Sequence, residues 1–196
     1  WDLVQAEDGL HAAFGLHPVY LGQHLPEHLL QLRQWLEQLA GHPKRCAVGE
    51  IGLDYFLSEL DPARQQQLFE AQLKLASDFE LPALLHVRRA HAPSIAALKR
   101  YRLKRGGIIH AFAGSDEEAR EYLKLGFKLG FGGAATWPQA LRLRKVFTAL
   151  PLDAIVLETD SPDMAPVMHP YQRNSPVFLA DICNDLAALK GITPAA

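Results

Sequence analysis

Cys46-Ala-Val-Gly-Glu-Ile-Gly-Leu-Asp54 decides how this chain is read. Cys46, Ala47 and Val48 predict a short buried strand that runs straight into a carboxylate, Glu50, flanked by Gly49 and Gly52. A carboxylate at the end of an apolar run is costly unless charge or hydrogen bonds meet it there. The two glycines permit a sharp turn or a close approach. Outward from this stretch the pattern recurs. Ala83-Leu84-Leu85 ends in His86, Gly107-Ile108-Ile109 ends in His110, Ala154 to Thr159 ends in Asp160, and Ala12 to Leu16 ends in His17. Five apolar strands each finish on a residue able to bind a metal or move a proton, and each leads into a helical stretch. Repetition at this level points to a constructed site.

The helices between these strands are legible from their starts and stops. Trp1 to Gly9 resembles the frayed end of a helix, stopped at Gly9. Pro26-Glu27 opens a helix with Leu29, Leu32, Trp35, Leu36 and Leu39 at helical spacing, closed by Gly41. Asp61-Pro62 is an N-cap and first-turn proline, and the helix behind it buries Leu68, Phe69, Leu73, Ala76 and Phe79. Strand Leu81–His86 precedes a helix from about Ser94 to Lys104. Ser115-Asp116-Glu117-Glu118 is a capping-box pattern. Phe127–Phe131 is a further strand, Pro138 starts a helix through Phe147, Asp153–Thr159 is the last strand, and Ser175-Pro176 opens the final helix.

Strand and helix alternate six times, and the strands are apolar on both faces, as in parallel sheets covered by helices. Two α/β architectures compete, an open doubly wound sheet and a (β/α)8 TIM barrel. The open sheet places its ligand at one switch point, served by one or two strands. Here chemistry-bearing residues end most strands, as the catalytic face of a barrel requires. The barrel is therefore the expected fold, as one domain over 1–196. About six of eight units are present, and about 250 residues is typical. With Trp1 in place of an initiating Met, the expectation is a barrel lacking its first two strands.

Length and apolar content fit one globular core without repeats or low-complexity tracts. A net charge of −2 argues against a surface built to grip duplex nucleic acid non-specifically, without excluding a local site for a strand end. The cysteines Cys46 and Cys183 form no Cys-x-x-Cys pair, and no apolar run reaches the roughly 20 residues of a membrane span. A cytoplasmic protein with no membrane partner is expected.

Glu50, His86, His110 and Asp160 supply two imidazoles and two carboxylates, a mix suited to Zn, Mn, Fe or Co, and to Mg where carboxylates dominate. Such donors serve hydrolases that clamp a phosphate and activate water. Each residue alone has a plainer reading, as a boundary histidine, an arginine's partner or a turn residue. Their shared position at strand ends favours a site. His17 before Pro18 is either a substrate contact or a loop residue, and Arg88 could meet a phosphate or pair with an acid. The basic run Lys99 to Arg105 ends a helix, where it complements the dipole.

The residues now reached resemble the TatD family of metal-dependent hydrolases. The resemblance runs through Gly15-Leu16-His17-Pro18, Gly49 to Asp54, Gln65 to Ala76, Leu81-Pro82, His86-x-Arg88-x-Ala90, His110-x-Phe112-x-Gly114-Ser115 and Glu158-Thr159-Asp160-Ser161-Pro162. Arg88-Arg89, Gly130 to Gly133 and Asp163-Met164 look closer to the YjjV-like branch. The resemblance implies a (β/α)8 barrel holding two divalent metal ions (Mg, Mn or Zn) and hydrolysing phosphodiester bonds, typically of DNA. Glu50 would bridge both metals, with His86 and His110 completing one. Asp160 would bind the other and orient or deprotonate the attacking water. His17, Arg88, Arg173 and Asn174 would contact substrate. The family's opening His-x-His has no counterpart in this chain, the closing helix looks cut at Ile192 to Ala196, and Arg89 stands where an Asp is common. Two alternatives stand beside the nuclease: an ester or amide hydrolase on the same barrel, and an inactive fragment.

Overall fold

A computed structural model describes residues 1–195. Its sheet has six strands that follow in chain order: β1 (Ala12–Phe14), β2 (Arg45–Asp54), β3 (Ala83–Arg88), β4 (Gly107–Ile109), β5 (Phe127–Phe131) and β6 (Ile155–Leu157). The pairs β1–β2, β2–β3 and β5–β6 are parallel. An order that never reverses has no topological switch point, so the doubly wound alternative falls and the barrel-type (β/α) succession stands. Contacts divide the chain into two units, residues 1–108 with 124–126, and residues 109–123 with 127–196.

In the first unit, helices α1 (Asp2–Ala6), α2 (Pro26–Gln38), α3 (Pro62–Asp78) and α4 (His91–Tyr101) accompany β1 to β3. Val48, Ile51 and Leu53 of β2, Leu85 of β3, Leu36 of α2 and Leu73 of α3 are fully buried. Adjacent β2 residues are buried on both faces, the pattern of a covered parallel sheet. Asp61 caps α3 as expected, its carboxylate accepting from Ala63 N at 2.9 Å. The buried face of α3 also carries two glutamines, Gln65 and Gln72, while Leu68 and Phe79 are only half-buried. Helix α4 begins at His91 rather than Ser94, because Pro93 is tolerated in a first turn whose N–H groups have no helical partner. In the basic run, Arg100 pairs with Glu70 at 2.8 Å and Lys104 with Glu80 at 2.6 Å, so these charges are spent on neighbouring acids.

In the second unit, α5 (Asp116–Lys124), α6 (Gly133–Thr136), α7 (Leu141–Ala149) and α8 (Leu179–Lys190) accompany β5 and β6. Its core is aromatic: Phe112 meets Tyr122 and Phe131, and Phe131 meets Phe147, at ring separations of 6.3, 6.1 and 5.1 Å. The expected capping box is present, with Ser115 N donating to Glu118 Oε2 and Glu118 N to Ser115 Oγ. Pro138 opens no helix; it lies in the turn between α6 and α7. Ser175-Pro176 opens a 3₁₀ turn, Pro176–Phe178, that leads into α8. Helix α8 closes at Lys190 with Gly191 as its cap; Ala196 lies outside the described residues.

Three strand ends correct the expectation. Glu50 and His86 lie inside their strands, because β2 continues beside β3 through Ile51–Leu85, Gly52–His86, Leu53–Val87 and Asp54–Arg88. Strand β1 stops at Phe14, because the N–H and C=O of Leu16 are taken by the amide of Gln72, at 2.6 and 3.1 Å, instead of by a neighbouring strand. Among the described residues no helix is long and apolar enough to cross a membrane.

Candidate metal centre

Two glutamines and a bulge aim the donors of the first unit. Gln65 and Gln72 stand seven residues apart, on one face of α3. Gln65 accepts from Asp54 N at 2.8 Å and donates to Asp54 O at 3.0 Å. Gln72 does the same for Leu16, just before His17. Each side-chain amide thus replaces a strand neighbour and fixes backbone next to a site residue. The bulge lies in β2, between Val48 and Ile51, where three steps match only two along β3, from Ala83 to Leu85. Such an extra residue bends the strand and re-aims a side chain, here that of Glu50.

The result is a compact donor group of His17, Glu50 and His86, with one ligand atom from each lying within 4.8 Å of the others. One oxygen, Glu50 Oε1, faces two imidazole nitrogens, His17 Nε2 at 3.1 Å and His86 Nδ1 at 3.0 Å. On its other side, His86 Nε2 lies 3.0 Å from Oδ2 of Asp54, whose side chain is 1% exposed. A buried carboxylate on one ring nitrogen fixes the ring and leaves the other nitrogen for a cation, the usual support of a metal-binding histidine. Two nitrogens and an oxygen also suit Zn, Mn or a similar divalent ion. These residues fit a metal.

His86 carries an electrostatic mark of this arrangement. Burial opposes its charge, but hydrogen bonds and charge from Glu50 and Asp54 outweigh burial and hold its pKa above the ordinary imidazole value. The sign follows from linkage. Stability from protonated His86 is complete below the unfolded value of about 6.5 and is lost as pH rises through the raised folded value. In a chelating buffer the melting temperature should therefore decline across the interval above about pH 6.5. A divalent ion, which replaces that proton, should bind more tightly over the same interval. Thermal melts with EDTA and with Mn²⁺ across a pH series check both trends, and pH-independent melting in EDTA would remove the argument.

The second unit repeats the scheme with different parts. His110 follows β4, and its Nδ1 lies 3.0 Å from Glu158 Oε2, while its Nε2 lies 3.5 Å from Asp160 Oδ1. Glu158 Oε1 accepts from Ala111 N at 2.6 Å. Glu158 has room because β5 is glycine where they meet: a Cβ at Gly130 would stand 2.6 Å from the Glu158 carboxylate. Glu158 stands to His110 as Asp54 stands to His86, and Asp160 faces the remaining nitrogen. Asp160 itself has left-handed backbone, φ 58°.

Of the anticipated donors, the structure thus joins Glu50 with His86, and His110 with Asp160. His17, anticipated at the substrate, lies within the donor group. Arg88 is half-exposed, 4.0 Å from Asp54 and stacked on Phe56. Arg173 is exposed. Asn174 is 3% exposed, and its side chain is spent on backbone: Nδ2 donates to Thr159 O and Asp163 O, and Oδ1 accepts from Ser175 N. Asn174 therefore braces the loop after Asp160. Asp54 and Glu158 were not singled out from sequence. Their signal was present: Asp54 lies four positions after Glu50, a spacing that returns to one face of a strand, and Glu158 lies two positions before Asp160. Removing the brace tests it. Asp54→Asn should weaken divalent-ion binding about 10–100-fold in calorimetric titration; unchanged affinity would reduce Asp54 to a buried structural acid.

Comparison with known proteins gives the family. The family described as TatD related DNase matches residues 1–196. YjjV of Escherichia coli K12, an uncharacterized metal-dependent hydrolase, is 46% identical over 162 residues, which cover 83% of this chain. The matched part spans 62% of that relative's length. A protein of Pantoea vagans named 3'-5' ssDNA/RNA exonuclease TatD is 34% identical over 196 residues, covering 96% of this chain and 74% of its own. The crystal structure of the E. coli YjjV protein superimposes with a TM-score of 0.92 at 42% identity, over 96% of this chain and 72% of that one. On the family match and these relatives, the chain belongs to the TatD related DNase family.

Proposed function

We propose that the two histidine–carboxylate clusters each take part in holding a divalent ion, Mg, Mn or Zn, and that the chain's chemistry is hydrolysis of phosphodiester bonds in DNA or a related nucleic acid. One observation carries the reading: His86 and His110 are each braced by an acid on one ring nitrogen and faced by a second acid on the other. Such pairs hold cations, and they recur where phosphates are cleaved. Divalent ions bound there supply Lewis acidity toward a phosphoryl oxygen and make water more acidic.

The protein's own groups divide the remaining work. Glu50 Oε1 is engaged by two imidazoles, which makes it a ligand rather than a base. Glu158 is engaged by His110 and by Ala111 N–H, which makes it an orienting group. Asp160 has a side chain 33% exposed against 19% for Glu158, and is the acid placed to accept a proton from an attacking water. The exonuclease name of the Pantoea relative supports a nucleic-acid substrate.

The test pairs binding with turnover. Calorimetric titration with Mn²⁺, and hydrolysis of a single-stranded oligonucleotide and of a simple aryl phosphodiester, are compared between this chain and Glu50→Gln. Glu50→Gln should lose both metal affinity and hydrolysis. Equal ion binding by the two proteins would remove Glu50 as a ligand, and cleavage of carboxylic esters in preference to phosphodiesters would favour the ester-hydrolase alternative.

A further inference from the structure

Beside the first donor group stands an aromatic ring with two arginines on it. Phe56 is 43% exposed, and the guanidinium carbons of Arg88 and Arg89 lie 3.6 and 4.7 Å from its ring centre. The ring is tied to the metal centre through Asp54. Phe56 N donates to Asp54 Oδ1 at 3.0 Å, and Asp54 Oδ2 meets His86 at 3.0 Å. Arg89 adopts left-handed backbone, φ 54°, a conformation unfavourable for a residue with a long side chain. Residues in this conformation cluster at active sites and ligand clamps. Arg88 shares Asp54 at 4.0 Å, whereas Arg89 makes no ion pair among the described residues.

Two like charges brought to one exposed ring gain little from each other. They gain if an anion meets them. A guanidinium resting on an aromatic face keeps its N–H edge outward, with its rotamers already restricted, in the form that grips a phosphate with two parallel bonds. Arg88 alone could serve the phosphate being cleaved. Arg89 needs a second anionic group.

We propose that Phe56 and Arg89 form a clamp for a neighbouring phosphate of a polynucleotide strand, so that the site selects a chain of phosphates over an isolated phosphodiester. The inference rests on the phosphodiesterase reading and specifies its substrate as a strand. Arg89 is a binding and specificity residue for the strand, and Phe56 is a positioning residue that holds the guanidinium.

Fluorescence anisotropy of an end-labelled oligothymidylate, in EDTA so that no cleavage intervenes, tests the clamp across a salt series. Arg89→Ala should weaken binding about tenfold or more at low salt and lower the log–log salt slope by about one. Phe56→Leu keeps the charge, so it should lose several-fold in affinity at an unchanged slope. Arg89→Lys should restore the slope but not the full affinity. In turnover, Arg89→Ala should narrow the preference for oligonucleotide over the aryl diester. Parental affinity and slope in Arg89→Ala would overturn the clamp. Strand binding that depends on Arg89, in a chain that cleaves no phosphodiester with any divalent ion, would instead overturn the nuclease reading. The two failures are therefore distinct. Arg89 is exposed, so loss of folding, monitored by circular dichroism, does not confound its variants.

Discussion

Asp160→Asn should lower hydrolysis of a single-stranded oligonucleotide by about 10²–10⁴-fold in kcat, the range expected when a positioned general base is lost. The amide is nearly isosteric, so the loop Asn174 ties to Thr159 and Asp163 should keep its shape. The deficit should fall on kcat more than on KM, because the acid acts once substrate is bound. A pH series separates proton transfer from simple loss of charge. If Asp160 takes the proton, the acidic limb of the profile should vanish in the variant along with the rate. A variant with the parental rate, or one whose whole defect is repaired by raising the metal concentration, would move Asp160 from base to ligand only. The expectation singles out Asp160 over Glu158, because Glu158 already accepts from Ala111 at 2.6 Å and lies against Gly130.

Gly52→Ala should produce the largest loss of stability. Gly52 pairs with His86 across β2 and β3, with φ +150°, and a Cβ there would stand 1.9 Å from the carbonyl oxygen of His86. No side-chain rotation relieves a collision with backbone. Either the strands separate locally or β2 changes its torsions at a position L-residues rarely occupy. Either response should cost at least about 3 kcal/mol, lowering the melting temperature by roughly 6–12 °C for a chain of this size. The same movement displaces His86 from Glu50, so Mn²⁺ affinity should fall with the melting temperature. Thermal melts with and without Mn²⁺ read both effects, and parental values for both would show that the strand pair yields freely at this point.

Much of the fold was legible because its signals are local. Asp61-Pro62 announces a helix through one hydrogen bond and one fixed torsion, and Ser115 to Glu118 through two reciprocal bonds; both caps form as read. Strands apolar on both faces required covering helices, and residues as far apart as Glu50 and Asp160 carried one chemical theme. The less legible features depend on partners distant in sequence. Leu16 leaves the sheet because of Gln72, 56 residues away. A glutamine among leucines on a helix looks like a surface residue until the strand it clasps is known. Asp54 and Glu158 were hidden for a related reason: a buried brace and an exposed acid are spelled alike, and only the position of an imidazole tells them apart. His17 was ambiguous because a histidine before proline reads as a loop residue unless Glu50 lies opposite.

The extra residue in β2 gives that strand two phases. Upstream, Ala47 and Val48 keep step with the hydrophobic interior; downstream, Glu50, Gly52 and Asp54 alternate with Ile51 and Leu53, so the tail of the strand offers oil to one side and chemistry to the other. Loss of Gly49 alone would leave composition and helices almost untouched, yet it would exchange those two sides. Loops in general can change length at little expense; here one residue sets the beat, and the reactive groups keep time with it.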